Sequence, residues 1–179
     1  SKDDELLAEV SKILSSETMR IYKSHDVLGV EIGGALKNII AFCCGIVAEL
    51  GLGTNASSAI ITRGLAEIAR LGVKMGASKE TFYGLSGLGD LILTCSSDES
   101  RNRRAGRLIG KGLSIDEIKK EIGMTIESID NIEIAHRLAE KYNVEMPIVN
   151  SVYDVIFNNK PITDVSNSLM TRTIKFENE

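Results

Sequence analysis

Between Val30 and Leu50 the chain is apolar, small or weakly polar on nearly every face, and Lys37 is the only cation in that run. The core text is Gly33-Gly34-Ala35-Leu36-Lys37-Asn38, continuing through Ile39, Ile40, Phe42, Cys43, Cys44, Ile46 and Val47. A helix that is apolar all round has no face to offer water, so this segment demands a domain with enough other helices to surround it. A lysine inside such a helix is expensive, because losing water disfavours the ammonium and moves its pKa toward neutrality, where a proton donor or acceptor works best. The alternative is a buried methylene stem with the amine snorkelling to solvent. This segment alone leaves both readings open.

With 179 residues and 43% hydrophobic content, the chain can build one substantial core, or one domain plus a fragment of another. Glu31, Lys37 and Glu49 interrupt the longest apolar run, so no uncharged stretch approaches the roughly 20 residues of a membrane span. The opening Ser1-Lys2-Asp3-Asp4-Glu5 is acidic and polar, and no secretory signal is expected in the chain as given. A net charge of −4 offers no general attraction to nucleic acid or an anionic membrane, so any bound anion must be held locally. Cys43, Cys44 and Cys95 make neither a disulfide framework nor a C-x-x-C pair, which fits a reducing cytoplasm. His25 and His136 stand far apart without neighbouring ligand types, and no metal site is expected.

Leu6, Leu7, Val10, Ile13 and Leu14 repeat at helical spacing, and Met19–Tyr22 reads as one short strand. Helical patterns then follow at about 30–50, 56–75 ending at Gly76, a short one after Ser78, 101–110, 115–122, 129–142, 148–158 and 164–171. Ser114 with Glu117 makes a capping box, Gly123 is a natural stop, Pro147 suits a first turn, and Thr163 can cap the last helix. A lone strand cannot satisfy its own backbone groups. The expectation is therefore that residues 1–24 are a helix–strand remnant of a preceding Rossmann domain, and that residues 25–179 form the helical domain.

Gly51-Leu52-Gly53 and Gly87-Leu88-Gly89 imitate a dinucleotide fingerprint, but neither sits between a strand and a helix with an acid about 20 residues on. The first reads as a tight turn between helices. In the second, Asp90 lies among glycines and leucines: it is either a loop aspartate bonding its own backbone, or a carboxylate brought to Lys37 or to a substrate hydroxyl. In Cys95–Arg104, Ser100 or Asp98 can cap the next helix, so that backbone N–H groups, Arg101 and Asn102 converge on one point, as phosphate binding requires. Arg103, Arg104 and Arg107 read as a solvated basic face.

Taken in order, Gly29–Asn38, Ile61–Glu67, Gly87–Leu91, Ser100–Arg104 and Val144–Ile148 resemble the C-terminal domain of bacterial NAD(P)-dependent glycerol-3-phosphate dehydrogenase across almost the whole chain. The resemblance implies a mainly α, multi-helical substrate domain of the 6-phosphogluconate-dehydrogenase C-terminal-like type, following a Rossmann domain that carries most of the NAD or NADP site. It implies Lys37 as proton acceptor and substrate contact, with Asp90, Ser100, Arg101 and Asn102 binding glycerol 3-phosphate or dihydroxyacetone phosphate. Arg101, Thr125 and Glu127 fall to the cofactor, although Thr125 and Ser128 depart from the commoner Val-Val-Glu-Gly pattern. It also implies a cytoplasmic enzyme serving glycerophospholipid synthesis without metal or nucleic acid, leaves a homodimer open, and makes this chain alone inactive. The competing readings are another two-domain hydroxy-acid dehydrogenase, against which the Ser-Arg-Asn motif argues, and a non-catalytic oligomerisation module, which gives no reason for Lys37, Asp90 and Arg101 to coexist.

Overall fold

In the computed structural model, which describes residues 1–164, the required covering of the apolar run is supplied by helices on several sides. The apolar run becomes α2 (Val27–Glu49), started by Asp26, whose side chain accepts from the Gly29 N–H. Asp26 also accepts from the Thr81 hydroxyl and the Ser78 N–H, and these bonds, the Thr81 one foremost, hold its carboxyl below the ordinary aspartate value. Around α2 pack α3 (Gly53–Met75), α5 (Asp90–Ser96), α6 (Arg101–Gly110) and α8 (Glu127–Tyr142). Ile39, Ile40, Ala41 and Phe42 are 0% exposed, so four consecutive residues of one helix are covered. By length and composition α2 could cross a membrane, yet most of it lies inside this bundle.

The remaining elements are α1 (Asp4–Leu14), α4 (Lys79–Phe82), a π-helical turn (Leu85–Gly89), α7 (Ile115–Ile122) and α9 (Pro147–Phe157). Many boundaries follow local chemistry. Gly51 and Gly53, with φ of 67° and 83°, make the tight turn from α2 to α3, and Gly76 at φ 105° ends α3. Both halves of the Ser114–Glu117 capping box form, Gly123 closes α7, and Pro147 opens α9. Glu67 on α3, buried to 1% exposure, accepts from the Ile148 and Val149 N–H groups and so seats the start of α9.

Glycines set the closest contact in the bundle. A Cβ on Gly45 of α2 would overlap the Arg103 carbonyl of α6, and one on Gly106 of α6 would overlap the Phe42 carbonyl of α2. The two backbones therefore touch directly. The thiols of Cys43, Cys44 and Cys95 are free and sealed in the same core, where burial pushes the Cys43 thiol up.

The structure corrects three expectations and closes one open alternative. Met19–Tyr22 is not a strand, and no strand occurs among the described residues, because nothing lies beside it to share a ladder. The Asp90 segment is not a loop: the π-helical turn runs straight into α5. Residues 162–164 are already helical, so Thr163 stands within a turn instead of capping one, and the rest of the 164–171 helix lies outside the described residues. Arg103 and Arg107 are not a freely solvated face, since Arg103 pairs with Asp98, and Arg107 with Glu49 at 3.2 Å and Asp98 at 3.6 Å.

Gly106→Ala should lower the unfolding free energy by about 1–3 kcal/mol, because neither backbone can yield without moving a helix. Gly34, which has nothing within 4 Å of its would-be Cβ, provides the contrast. There alanine should gain about 0.5–1 kcal/mol through helix propensity. Chemical denaturation of the two variants decides the point; equal effects would remove the contact from its assigned role.

Candidate functional site

Lys37 and Asn38 are neighbours in sequence and point about 100° apart around α2. Each finds a polar partner on a different helix. The Lys37 amine, with its side chain 20% exposed, forms an ion pair with the Asp90 carboxylate at the first residue of α5. Asp90 is held in turn by Thr94, whose hydroxyl donates to the Asp90 backbone carbonyl at 2.7 Å and lies 3.4 Å from its Oδ1. The π-helical turn brings Asp90 to this place. Gly33 of α2 lets the Ser86 carbonyl come to van der Waals contact, and Gly87 lets the turn lie against the Phe82 backbone.

Asn38 is 4% exposed and donates from Nδ2 to Glu127 Oε2 at 2.8 Å. Glu127 begins α8, and its Oε1 lies 3.9 Å from Arg101 Nη2. Arg101 begins α6, where the Ser100 side chain caps the helix by accepting from the Arg103 N–H. Asn102, next along α6, is buried and accepts on Oδ1 from the Ser128 N–H at 3.0 Å. Asn131 ties α8 back to α2 by donating to the Ala35 carbonyl at 2.9 Å.

Of the residues named from sequence, the structure joins Lys37 to Asp90 and links Ser100, Arg101 and Asn102 to Glu127 through the starts of α6 and α8. Thr125 is not drawn in: it sits on an exposed stretch before α8. Ser100, and not Asp98, is the cap. Asn38 and Thr94 are the two site residues that the sequence pattern did not single out. Asn38 could have been singled out as a polar residue beside Lys37 in a segment otherwise apolar on every face; Thr94, four residues after Asp90, carried an i, i+4 signal. Chemically, the cluster pairs one amine with one carboxylate at the edge of a core helix and places a guanidinium, an amide and a second carboxylate beside it.

Fold and cluster define a class: mainly α domains whose ionisable groups converge from three helices on one buried central helix. A family model described as the C-terminus of NAD-dependent glycerol-3-phosphate dehydrogenase matches residues 26–167, and the chain belongs to that family. A relative from Bacillus cereus, named glycerol-3-phosphate dehydrogenase (NAD(P)+), is 51% identical over all 179 residues, which make up 53% of that protein. A relative of the same name from Bacillus thuringiensis matches with the same identity and coverage. The crystal structure of glycerol-3-phosphate dehydrogenase from Coxiella burnetii superposes with a TM-score of 0.91 at 39% identity, over 95% of this chain and 52% of that one. The chain thus spans about half the length of the curated relatives it matches.

Asn38→Asp should place a second carboxylate against Glu127 and cost about 2–3 kcal/mol of stability at neutral pH. Adding Glu127→Gln restores a donor–acceptor pair with the roles exchanged, so the double variant should recover at least half of the loss. Denaturation of the three variants reads the coupling directly, and an additive result would break the Asn38–Glu127 link.

Proposed function

We propose that this chain is the substrate-side domain of an NAD(P)-dependent glycerol-3-phosphate dehydrogenase, which interconverts sn-glycerol 3-phosphate and dihydroxyacetone phosphate. The observation that carries this reading is the Lys37–Asp90 ion pair standing next to the Asn38–Glu127–Arg101 chain on adjacent positions of α2. Oxidation of a secondary alcohol needs a base for the hydroxyl proton while hydride departs from the same carbon; reduction needs an acid. Lys37 takes the first role and returns the proton in the second. Asp90 and Thr94 hold the amine in place and leave it at the surface of the cluster. Arg101 and Asn102 bind the phosphate, because a guanidinium and an amide NH2 supply charge-assisted donors that discriminate a phosphorylated triol from an unphosphorylated one. Ser100 starts the helix that presents both.

A nicotinamide dinucleotide supplies the hydride acceptor or donor when bound. Arg101 and Glu127 fit an edge contact with it, since their side chains are 38% and 55% exposed and can offer a donor fork and an acceptor pair. Thr125, on its exposed stretch, is assigned to the outer part of that contact. Most of the cofactor site is assigned to a separate Rossmann domain, and residues 1–24 to its boundary with the helical domain. Two findings support this division: α1 buries none of its residues, and the family match begins at residue 26. The same reading makes the enzyme cytoplasmic, serves glycerophospholipid synthesis and leaves this chain inactive by itself.

In the two-domain enzyme, Lys37→Ala should reduce turnover by about 10²-fold or more with the circular dichroism spectrum unchanged. A near-normal rate would remove Lys37 from the proton step. Arg101→Ala should instead raise KM for glycerol 3-phosphate more than it lowers kcat, and steady-state kinetics with unchanged KM would refute its phosphate contact.

A further inference from the structure

Two side-chain rungs join α2 to α5. The first is the Lys37–Asp90 ion pair. Cys44 follows Lys37 by two helical turns, so it lies on the same face of α2, about 10 Å further along. Cys95, next to the last residue of α5, answers it across the gap, and the two thiols hydrogen-bond each other. Both are free and buried, and the proposed reaction uses neither. Cys43, although adjacent in sequence, points about 100° away around the helix.

Arg103 of α6 is the third member of this group. Its carbonyl comes so close to Gly45 that a Cβ there would overlap it, which sets Arg103 beside the residue that follows Cys44. One guanidinium nitrogen pairs with Asp98, whereas Nε is sealed from solvent and has no hydrogen-bond partner. A cation acting on a thiol favours the thiolate. The three thiols are unequal. The hydrogen bond from Cys95, assisted by the Arg103 charge, holds the Cys44 thiol below its ordinary value against the effect of burial. The same hydrogen bond and burial push the Cys95 thiol up, and burial pushes up Cys43. Cys44 is therefore the nucleophile, Cys95 its donor and Cys43 a bystander.

We propose that Cys44 and Cys95 form a redox site that hydrogen peroxide closes to a disulfide, joining α2 covalently to α5 on the face that carries the Lys37–Asp90 pair. The Cys44 thiolate attacks one peroxide oxygen; an S–O bond forms as the O–O bond breaks, and the other oxygen leaves as water with the proton that Cys44 released. The Cys95 sulfur then attacks the Cys44 sulfur. An S–S bond replaces the S–O bond, and the departing hydroxide takes the Cys95 proton as a second water. Two thiols are oxidised and one peroxide is reduced to two waters; an added dithiol reverses the bridge by exchange. Hydrogen peroxide is little larger than water, so a small local opening admits it. The site stands whichever substrate the domain serves.

The folded chain is treated with hydrogen peroxide, its remaining thiols are alkylated in denaturant, and intact mass and peptide fragmentation are read by mass spectrometry. The expected product has lost two hydrogen atoms, links Cys44 to Cys95 and carries one alkyl group, on Cys43; dithiothreitol before alkylation should restore all three labels. Cys43→Ser should bridge at the parent's rate. In Cys95→Ser the bridge cannot form, and dimedone should trap a sulfenic acid on Cys44. Three alkylated thiols after peroxide treatment of the parent would overturn the proposal. So would a bridge through Cys43, or oxidation that accumulates on Cys95 while Cys44 stays a thiol. Because the parent map is decisive alone, a variant that fails to fold leaves the test intact.

Discussion

The direct contact of two helix backbones, Gly45 of α2 against α6 and Gly106 of α6 against α2, fixes the place of α6 and with it the Arg101 side of the candidate site. Side chains at such a crossing would hold the axes apart by the usual 8–10 Å or so of helix packing. Without them α6 settles onto α2, and the first turn of α6, with Arg101 and Asn102, lies beside the start of α8. The contact also dictates composition nearby. Close-packed backbones leave no room for hydration, so Phe42 and Ala105 are fully covered.

Charge is distributed around this crossing with a clear division of labour. Arg103 and Arg107 are matched by Asp98 and Glu49, and the Glu49 pair ties α6 to the end of α2. Arg101 faces Glu127 at 3.9 Å, a looser pairing between two half-exposed side chains. Surface pairs of that kind contribute little to stability, so an incoming anion meets a guanidinium that is cheaply redirected. Lys37 and Asp90 are less exposed and sit nearer the core, where their mutual orientation is set by α2 and α5 and not by solvent.

Helix boundaries with local causes were legible from the sequence: Ser114 with Glu117, Gly76, Gly123 and Pro147 all act at the positions their chemistry indicates. So was the burial of α2, because periodicity failed in a direction that only a surrounded helix can tolerate. The π-helical turn was not legible, since Leu85–Gly89 contains two glycine-flanked leucines and a serine that look like a loop until Gly87 is seen lying on the Phe82 backbone. Asp90 was correctly paired with Lys37 as one of two readings, but the pairing depends on that turn. Arg103 and Arg107 were misread for a different reason: Asp98 lies in the loop before α6 and Glu49 on α2, and helical spacing within α6 says nothing about charges arriving from outside it. Met19–Tyr22 shows the opposite failure, a strand pattern without a neighbouring strand.

The three sealed thiols give this protein a clock. Cys43 and Cys44 lie on the central helix and Cys95 on the helix that carries Asp90, all free and all buried. A thiol reagent can reach the facing Cys44 and Cys95 only when α2 and α5 part, so the rate of their labelling counts those partings one molecule at a time. A ligand that bridges Lys37 and Asp90 to the start of α6 would slow the count without touching any sulfur. The core of the bundle therefore records, in a chemical mark that can be weighed, how often its working edge comes undone.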